Sequence, residues 1–299
     1  MARILVTGAN GFTGRYLVER LAQDDHELIG LVHSDDGGAA GALRQRHVAD
    51  LRDHAAVEQI VGELRPEIVV HLAAIANVAH GDVSDLYSSN VVGTRNLLHA
   101  LSRQAGTPAK VMIASSANIY GNRREGVLTE AMAPAPANDY GVSKVAGEVL
   151  AGVYADRLPI ITVRPFNYTG RGQSENFLIP KIIGHIRCRA DVIELGNIDV
   201  ARDFSDVRDV VDAYARLLAA PGAMGGTFNI CSGKAHTLAE VLDMALGIAG
   251  HEMDVRVNPA FVRADEVRTL SGSRARLESV IGPAASTDLA DTLRWMLDA

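Results

Sequence analysis

The sequence predicts an α/β protein: a doubly wound parallel sheet with a smaller, mixed C-terminal substrate lobe. Three observations predict it. Short apolar runs alternate with amphipathic stretches through the first half of the 299 residues, the pattern of strands buried on both faces and joined by helical crossovers. Three glycines, Gly8, Gly11 and Gly14, stand where the first apolar run gives way to the first amphipathic stretch. The residues able to do chemistry then recur just beyond successive apolar runs, at His71-Leu-Ala-Ala74, Ser115-Ser116 and Arg164-Pro-Phe-Asn167. Open parallel sheets gather ligands at that edge.

Taken in order, the strands expected are Ile4–Val6, Leu28–Val32, Ile68–Leu72, Val111–Ala114 and Ile160–Val163. Between them Phe12–Ala22, His54–Leu64, Leu86–Gln104 and Tyr140–Tyr154 carry helical patterns. Beyond Asn167 the chain turns irregular at Tyr168-Thr-Gly-Arg-Gly-Gln-Ser, then mixed. Phe177–Arg187, Val207–Ala219, Leu238–Ile248 and Thr287–Leu297 read as helices there, and Thr227–Cys231 as a strand. The expected division is a nucleotide-binding domain over 1–165, joined by elements around 200–232 that return to it, and a substrate lobe over 166–299. No repeat or long linker interrupts this.

Composition narrows the functional class. A net charge of −7 argues against a general nucleic-acid or anionic-membrane binder, so a polyanionic ligand needs a local cluster of cations and N–H groups. No run of eighteen apolar residues predicts a transmembrane helix, and the chain enters a strand directly, so a cytoplasmic protein is expected. Cys188 and Cys231 stand in unrelated contexts and read as unpaired thiols; neither a disulfide nor a metal site is expected.

Thr7-Gly-Ala-Asn-Gly-Phe-Thr-Gly14 follows a strand pattern and opens a helix pattern, the setting of a dinucleotide-binding turn. Glycines let the backbone turn and approach a pyrophosphate, and a helix N-terminus offers N–H donors and partial positive charge. Farther on, Tyr140-Gly-Val-Ser-Lys144 places a phenol and an ammonium on one helical face. A neighbouring ammonium favours the phenolate, so a lowered Tyr140 pKa and a proton shuttle are expected.

With both motifs in hand, the chain resembles the short-chain dehydrogenase/reductase superfamily. Its Gly-x-x-Gly-x-x-Gly spacing is that of the extended branch, which modifies nucleotide sugars on a Rossmann-type fold. The resemblance implies Ser116, Tyr140 and Lys144 as the catalytic set, Ser116 standing four residues before the Tyr of Ser115-Ser-Ala-Asn-Ile-Tyr-Gly121. It implies a cofactor held by Gly8, Asn10, Gly11, Phe12, Thr13, Gly14, His33, Asp50, Leu51, Leu72, Ala73, Ala74 and Asn90, together with Tyr140 and Lys144. Lys144 holds the ribose hydroxyls in this scheme, Asp50 meets the adenine amino group and Asn90 braces the site. Because Val32, not a carboxylate, ends the second strand, NADP(H) is favoured and NAD(H) is the alternative. Arg15, Arg44 and His33 are the candidate partners of a 2′-phosphate.

The second half resembles GDP-6-deoxy-4-keto-D-mannose reductases, which form GDP-D-rhamnose. The matching segments are Pro165-Phe-Asn-Tyr-Thr-Gly-Arg-Gly-Gln173, Leu195-Gly-Asn-Ile-Asp-Val-Ala-Arg-Asp-Phe204, Phe228-Asn-Ile-Cys-Ser-Gly233, Arg263-Ala-Asp-Glu-Val267 and Leu270-Ser-Gly-Ser-Arg-Ala-Arg-Leu277. The resemblance assigns the sugar nucleotide to Ser116, Asn118, Asn167, Arg171, Arg202, Arg263 and Glu266. Arg202 and Arg263 would clamp the diphosphate, and Glu266 would take both ribose hydroxyls. GDP-mannose 4,6-dehydratases of the same scaffold use a Glu where Asn118 stands, which weighs against dehydration; a sugar-nucleotide 4-epimerase is the other alternative. The product could also be the C4 epimer, GDP-6-deoxy-talose. Relatives pair helices equivalent to Leu86–Gln104 and Tyr140–Tyr154, so a homodimer is expected.

Overall fold

The protein is described by a computed structural model covering residues 1–35, 41–76, 81–104, 106, 108–122, 126–261 and 268–298. Seven parallel strands form the central sheet: β1 (Arg3–Thr7), β2 (Glu27–Val32), β3 (Gln45–Val48), β4 (Ile68–His71), β5 (Lys110–Ala114), β6 (Ile160–Pro165) and β10 (Thr227–Ile230). They lie in the order β10-β6-β5-β4-β1-β2-β3, and every adjacent pair is parallel. The order reverses between β1 and β4, which opens a crevice at their carboxyl ends.

The alternation of strand side chains explains the continuous apolar runs. Ile4, Val6, Leu28 and Val70 face helices α1 (Phe12–Ala22) and α7 (Val207–Ala219), with α9 (Ala275–Ile281) at the margin. Leu5, Ile29, Leu31 and Val69 face α2 (His54–Leu64), α4 (Gly93–Arg103) and α5 (Asp139–Tyr154). Each inner strand is thus sandwiched, and alternate residues bury against opposite layers.

Two departures from the expected elements have physical causes. The edge strand β3 is Gln-Arg-His-Val, half-exposed and mostly polar, so hydrophobic periodicity does not reveal it. The expected single helix Leu86–Gln104 is α3 (Val83–Tyr87), a π-helical turn at Ser88–Val92, and α4. The widened turn presents Asn90, whose Oδ1 accepts from the Ile75 N–H at 2.8 Å and whose Nδ2 donates to the Ile75 carbonyl and Ser143 Oγ, each at 3.0 Å.

The C-terminal lobe gathers around β9 (Ala201–Asp206), which pairs in parallel with β7 (Asn167–Thr169) and β13 (Thr269–Leu270) and antiparallel with β11 (Ala235–Thr237). A separate pair joins β8 (Val192–Leu195) to β12 (Asp254–Val257). Ile182, Val241 and Leu293 are fully buried where α6 (Leu178–Arg187), α8 (Leu238–Ala249) and α10 (Leu289–Leu297) meet. Asp203 is buried on β9, and its carboxylate accepts from the N–H groups of Ser232, Gly233 and Gly272, pinning two other segments to β9. No helix among the described residues is long and apolar enough to cross a membrane.

Candidate active site

The glycine turn closes around its own backbone. A Cβ on Gly14 would stand 2.2 Å from the Gly8 carbonyl oxygen, and Gly8 itself has φ +69° with the Ala73 backbone 3.0 Å from where a Cβ would lie. The turn therefore abuts the Leu72–Ala73 segment beyond β4, and Thr7 ties the two together: its carbonyl accepts from Leu72 N–H and its hydroxyl from Ala73 N–H. Helix α1 starts at Gly11 with no side chain capping it and no acidic residue in its first turn. An open helix N-terminus behind a glycine turn that has no room for side chains fits a dinucleotide pyrophosphate. Asn10, at the same turn, donates to the Ser34 carbonyl beyond β2, at 3.2 Å.

Below this turn a buried hydrogen-bond chain fixes the floor. Thr94 lies 2.6 Å from the Asn90 carbonyl, so its hydroxyl must donate there and accept from His71 Nε2–H. His71 Nδ1 then accepts from Thr7. Burial, with Lys144 nearby, drives the imidazole pKa down to about 3, so the ring stays neutral.

Ser116, Tyr140 and Lys144 come together at the carboxyl ends of β5 and β6. Asn138 caps α5 by accepting from Gly141 N–H, which sets Tyr140 in the first turn and Lys144 one turn on. The Ser116 hydroxyl lies beside the Tyr140 phenol and favours its charged form. Lys144 Nζ donates to the Ala114 carbonyl at 2.9 Å and lies 5.7 Å from the Tyr140 ring centre. The expected lowering of the Tyr140 pKa is not what the environment produces. Tyr140 is buried and Lys144 half-buried, and desolvation disfavours each charged form: the phenol is pushed up, opposed only by Ser116, and the Lys144 ammonium is pulled down to about 8.

Asn118 turns inward on the same segment. Its backbone N–H and its Nδ2 both donate to Ser116 Oγ at 3.1 Å, leaving the amide beside the catalytic-type hydroxyl. His33 is exposed at the end of β2. Asp50 accepts from the Arg52 N–H and guanidinium, which holds its carboxyl below the usual range, and Leu51 follows it under α4, with its carbonyl accepting from Asn96. Arg44 is at the wrong end of the sheet for a 2′-phosphate: its N–H bonds Leu28 and its side chain pairs with Glu27, both at the amino end of β2. Arg15 is in reach of the turn but donates to the Gly172 carbonyl.

On the lobe side, Asn167 is exposed just past β6, with its Nδ2 3.4 Å from the Asp203 carbonyl. Arg202 extends from β9 and donates to the Ala201 carbonyl. Arg171 is bound to the Trp295 carbonyl at 2.6 Å and its guanidinium packs on the indole. Arg263 and Glu266 lie outside the described residues. Tyr120, in the same segment as Ser116, is fully buried; its hydroxyl donates to Asn229 Oδ1 and accepts from Arg164.

Tyr168 is the residue that sequence reasoning passed over. It sits in the turn-rich stretch after Asn167, stacks on Phe12 and bonds the Thr13 hydroxyl at 2.7 Å. It also raises the Tyr140 pKa further. One phenol thereby links the glycine turn to the segment bearing Asn167, and only a long-range contact could have disclosed it.

The model of the NAD dependent epimerase/dehydratase family matches residues 4–231. The chain belongs to that family. It is 34% identical to the GDP-6-deoxy-D-mannose reductase of Pseudomonas aeruginosa, over 99% of this chain and 96% of that protein. It is 32% identical to the GDP-6-deoxy-D-talose 4-dehydrogenase of Aggregatibacter actinomycetemcomitans, over 94% and 91%. The solved structure of RMD from Pseudomonas aeruginosa complexed with NADPH superposes with a TM-score of 0.84 at 32% identity, covering 100% of this chain and 98% of that one. As an epimerase/dehydratase family member with reductase and dehydrogenase relatives, the chain is an oxidoreductase-type enzyme dependent on NAD(P).

Proposed function

We propose that this enzyme reduces the 4-keto group of GDP-4-keto-6-deoxy-D-mannose to give GDP-D-rhamnose. The observation that carries the reading is the Ser116–Tyr140 pair with Asn118 locked against it. A reduction needs a donor that is protonated before reaction, and burial keeps the Tyr140 phenol protonated at neutral pH. Ser116, beside that phenol, can hydrogen-bond the ketone oxygen and orient it for the proton. Dehydration needs an acid/base group at C5 and C6, and the Asn118 amide cannot exchange protons there. The glycine turn, Leu72–Ala74 and Lys144 are the residues proposed to hold the dinucleotide; its reduced nicotinamide supplies the hydride. Asn90 braces this wall through Ile75 and Ser143.

NADPH is the favoured cofactor. Val32 and the exposed His33 end β2 without a carboxylate to repel a 2′-phosphate, and the superposed RMD is complexed with NADPH. On the sugar-nucleotide side Asn167 and Arg202 are proposed to meet the diphosphate, with Arg263 and Glu266 contributing from outside the described residues, while the Arg171 guanidinium is committed to Trp295. The talose relative favours a second reading for the product alone, since delivery to the other face of C4 yields GDP-6-deoxy-D-talose.

The test pairs two incubations. GDP-4-keto-6-deoxy-D-mannose with NADPH should consume the cofactor, and NMR of the product assigns C4. GDP-mannose with oxidised cofactor should yield no 4-keto-6-deoxy product. Efficient turnover of GDP-mannose would overturn the reductase reading, and tightly bound NAD with no net turnover would mark an epimerase.

A further inference from the structure

On the face of the sheet away from α1, helices α2 and α4 pack side by side through Val57, Val61, Leu97 and Leu101, all fully buried. At the edge of that seam, His54 and Glu58 stand one turn apart on α2, with His99 facing them from the middle of α4. One ligand-type atom from each lies within 4.8 Å of the other two. The imidazole rings are 5.4 Å apart between centres, and His54 Nδ1 is 3.9 Å from Glu58 Oε2. We propose that His54, Glu58 and His99 form a site for a divalent transition-metal ion, Zn²⁺ by preference, that clips the start of α2 to α4. Nothing in the proposed reduction uses these residues.

The donor set argues for the class of ion. Two imidazoles and one carboxylate suit Zn²⁺, Ni²⁺ or Cu²⁺, whereas Mg²⁺ and Ca²⁺ seek all-oxygen sites. Bonds of about 2.0–2.2 Å place tetrahedral ligands roughly 3.3–3.5 Å apart, so the three groups must draw in by about 1 Å. His54 and Glu58 are partly exposed at their ends and can rotate that far. The backbone beneath them is fixed. Asn96, buried on α4 three residues before His99, donates to the Leu51 and Arg52 carbonyls immediately before α2, at 3.0 and 3.1 Å. Asp53 then caps α2 by accepting from Ala55 and Ala56 N–H.

The charges around the site set its strength. Arg95 and Arg103, one turn either side of His99 on α4, oppose a cation there. Arg103 Nε also lies 3.6 Å from Glu58 Oε1 and competes with the ion for that carboxylate. Affinity is therefore modest, and it should improve when Arg103 is removed.

Titration calorimetry of the full, tag-free chain with ZnCl₂ tests this, with Co²⁺ absorption reporting coordination. One ion per chain is expected, together with a visible Co²⁺ spectrum and an unfolding temperature that rises with Zn²⁺. His99→Ala and Glu58→Gln should each weaken binding by roughly tenfold or more, and Arg103→Gln should tighten it. Should His99→Ala fold poorly, His54→Asn takes its place with the same expected weakening. Zn²⁺ binding that is absent, or equal in wild type and in the His99 and Glu58 variants, would overturn the site.

Discussion

At the scale of single residues, Tyr140 and Lys144 store free energy in opposite directions. Lys144 titrates near 8 in the folded chain against an ordinary 10.5, so folding works against its charged form. That penalty is fully present below pH 8, shrinks as pH rises and is gone above 10.5. Replacing Lys144 by Met should therefore stabilise the protein at pH 7 by about 1–3 kcal/mol, after allowing for the lost bond to Ala114. The gain should vanish near pH 10.5, and chemical denaturation at several pH values measures it. Activity should fall in the same variant, the pattern of a residue kept for function at the expense of stability. Tyr140 contributes the reverse dependence. Its raised pKa keeps it protonated in the fold while the unfolded chain ionises, so stability should decline above about pH 10. Tyr140→Phe should lower kcat by roughly 10²–10⁴ while sparing sugar-nucleotide binding, because the lost hydroxyl serves the transition state. Near wild-type turnover would remove Tyr140 from the proposed mechanism.

At the scale of elements, the junction of β1 with α1 and the contact of α5 with β6 make separate demands. Gly14→Ala would drive a Cβ into the Gly8 carbonyl and the Ala9 backbone, at 2.2 and 2.8 Å. Since no flexible side chain can yield, α1 must back away, with an expected loss of about 1–3 kcal/mol and of cofactor affinity in a fluorescence titration. Between α5 and β6, Arg164 makes a two-pronged bond to Glu148 at 2.7 and 2.9 Å, both groups being largely buried. Glu148→Ala strands that guanidinium and should cost about 3–5 kcal/mol, read as a fall in unfolding temperature. These cases also mark how far the sequence could be read. The glycine turn and the Tyr-x-x-x-Lys pair were legible because spacing along one segment dictates their geometry. So were the inner strands, whose two buried faces impose continuous apolar runs. The edge strand β3 was hidden by its polar residues, and the π-turn by a side-chain network reaching Ile75 and Ser143. The Tyr140 pKa was misread because spacing reports a nearby cation but not burial. Tyr168 reaches Thr13 across 155 residues, a partner no local pattern specifies.

At the scale of the whole molecule, the outer surface of α4 and α5 is where a second copy is proposed to dock. The large apolar residues of α4 are internal: Leu97, Leu98 and Leu101 are fully buried. What remains outside is a valine surface. Val142, Val149 and Val153 on α5 are 41%, 63% and 62% exposed, and Val92 beside α4 is 46% exposed. Positions 142, 149 and 153 fall on one helical stripe, and β-branched residues have little reason to face water along a helix. Pairing two such faces about a twofold axis would set each valine stripe against its own counterpart, an isologous contact that closes at two subunits. Light scattering at micromolar concentration should give the mass of two subunits. Replacing Val149 and Val153 together by Glu should halve that mass, since like charges would then meet across the axis. The fold itself should be unaffected, because both side chains point outward in the single chain and far-ultraviolet circular dichroism should not change. A wild-type mass of one subunit would leave the valine surface without a partner of its own kind.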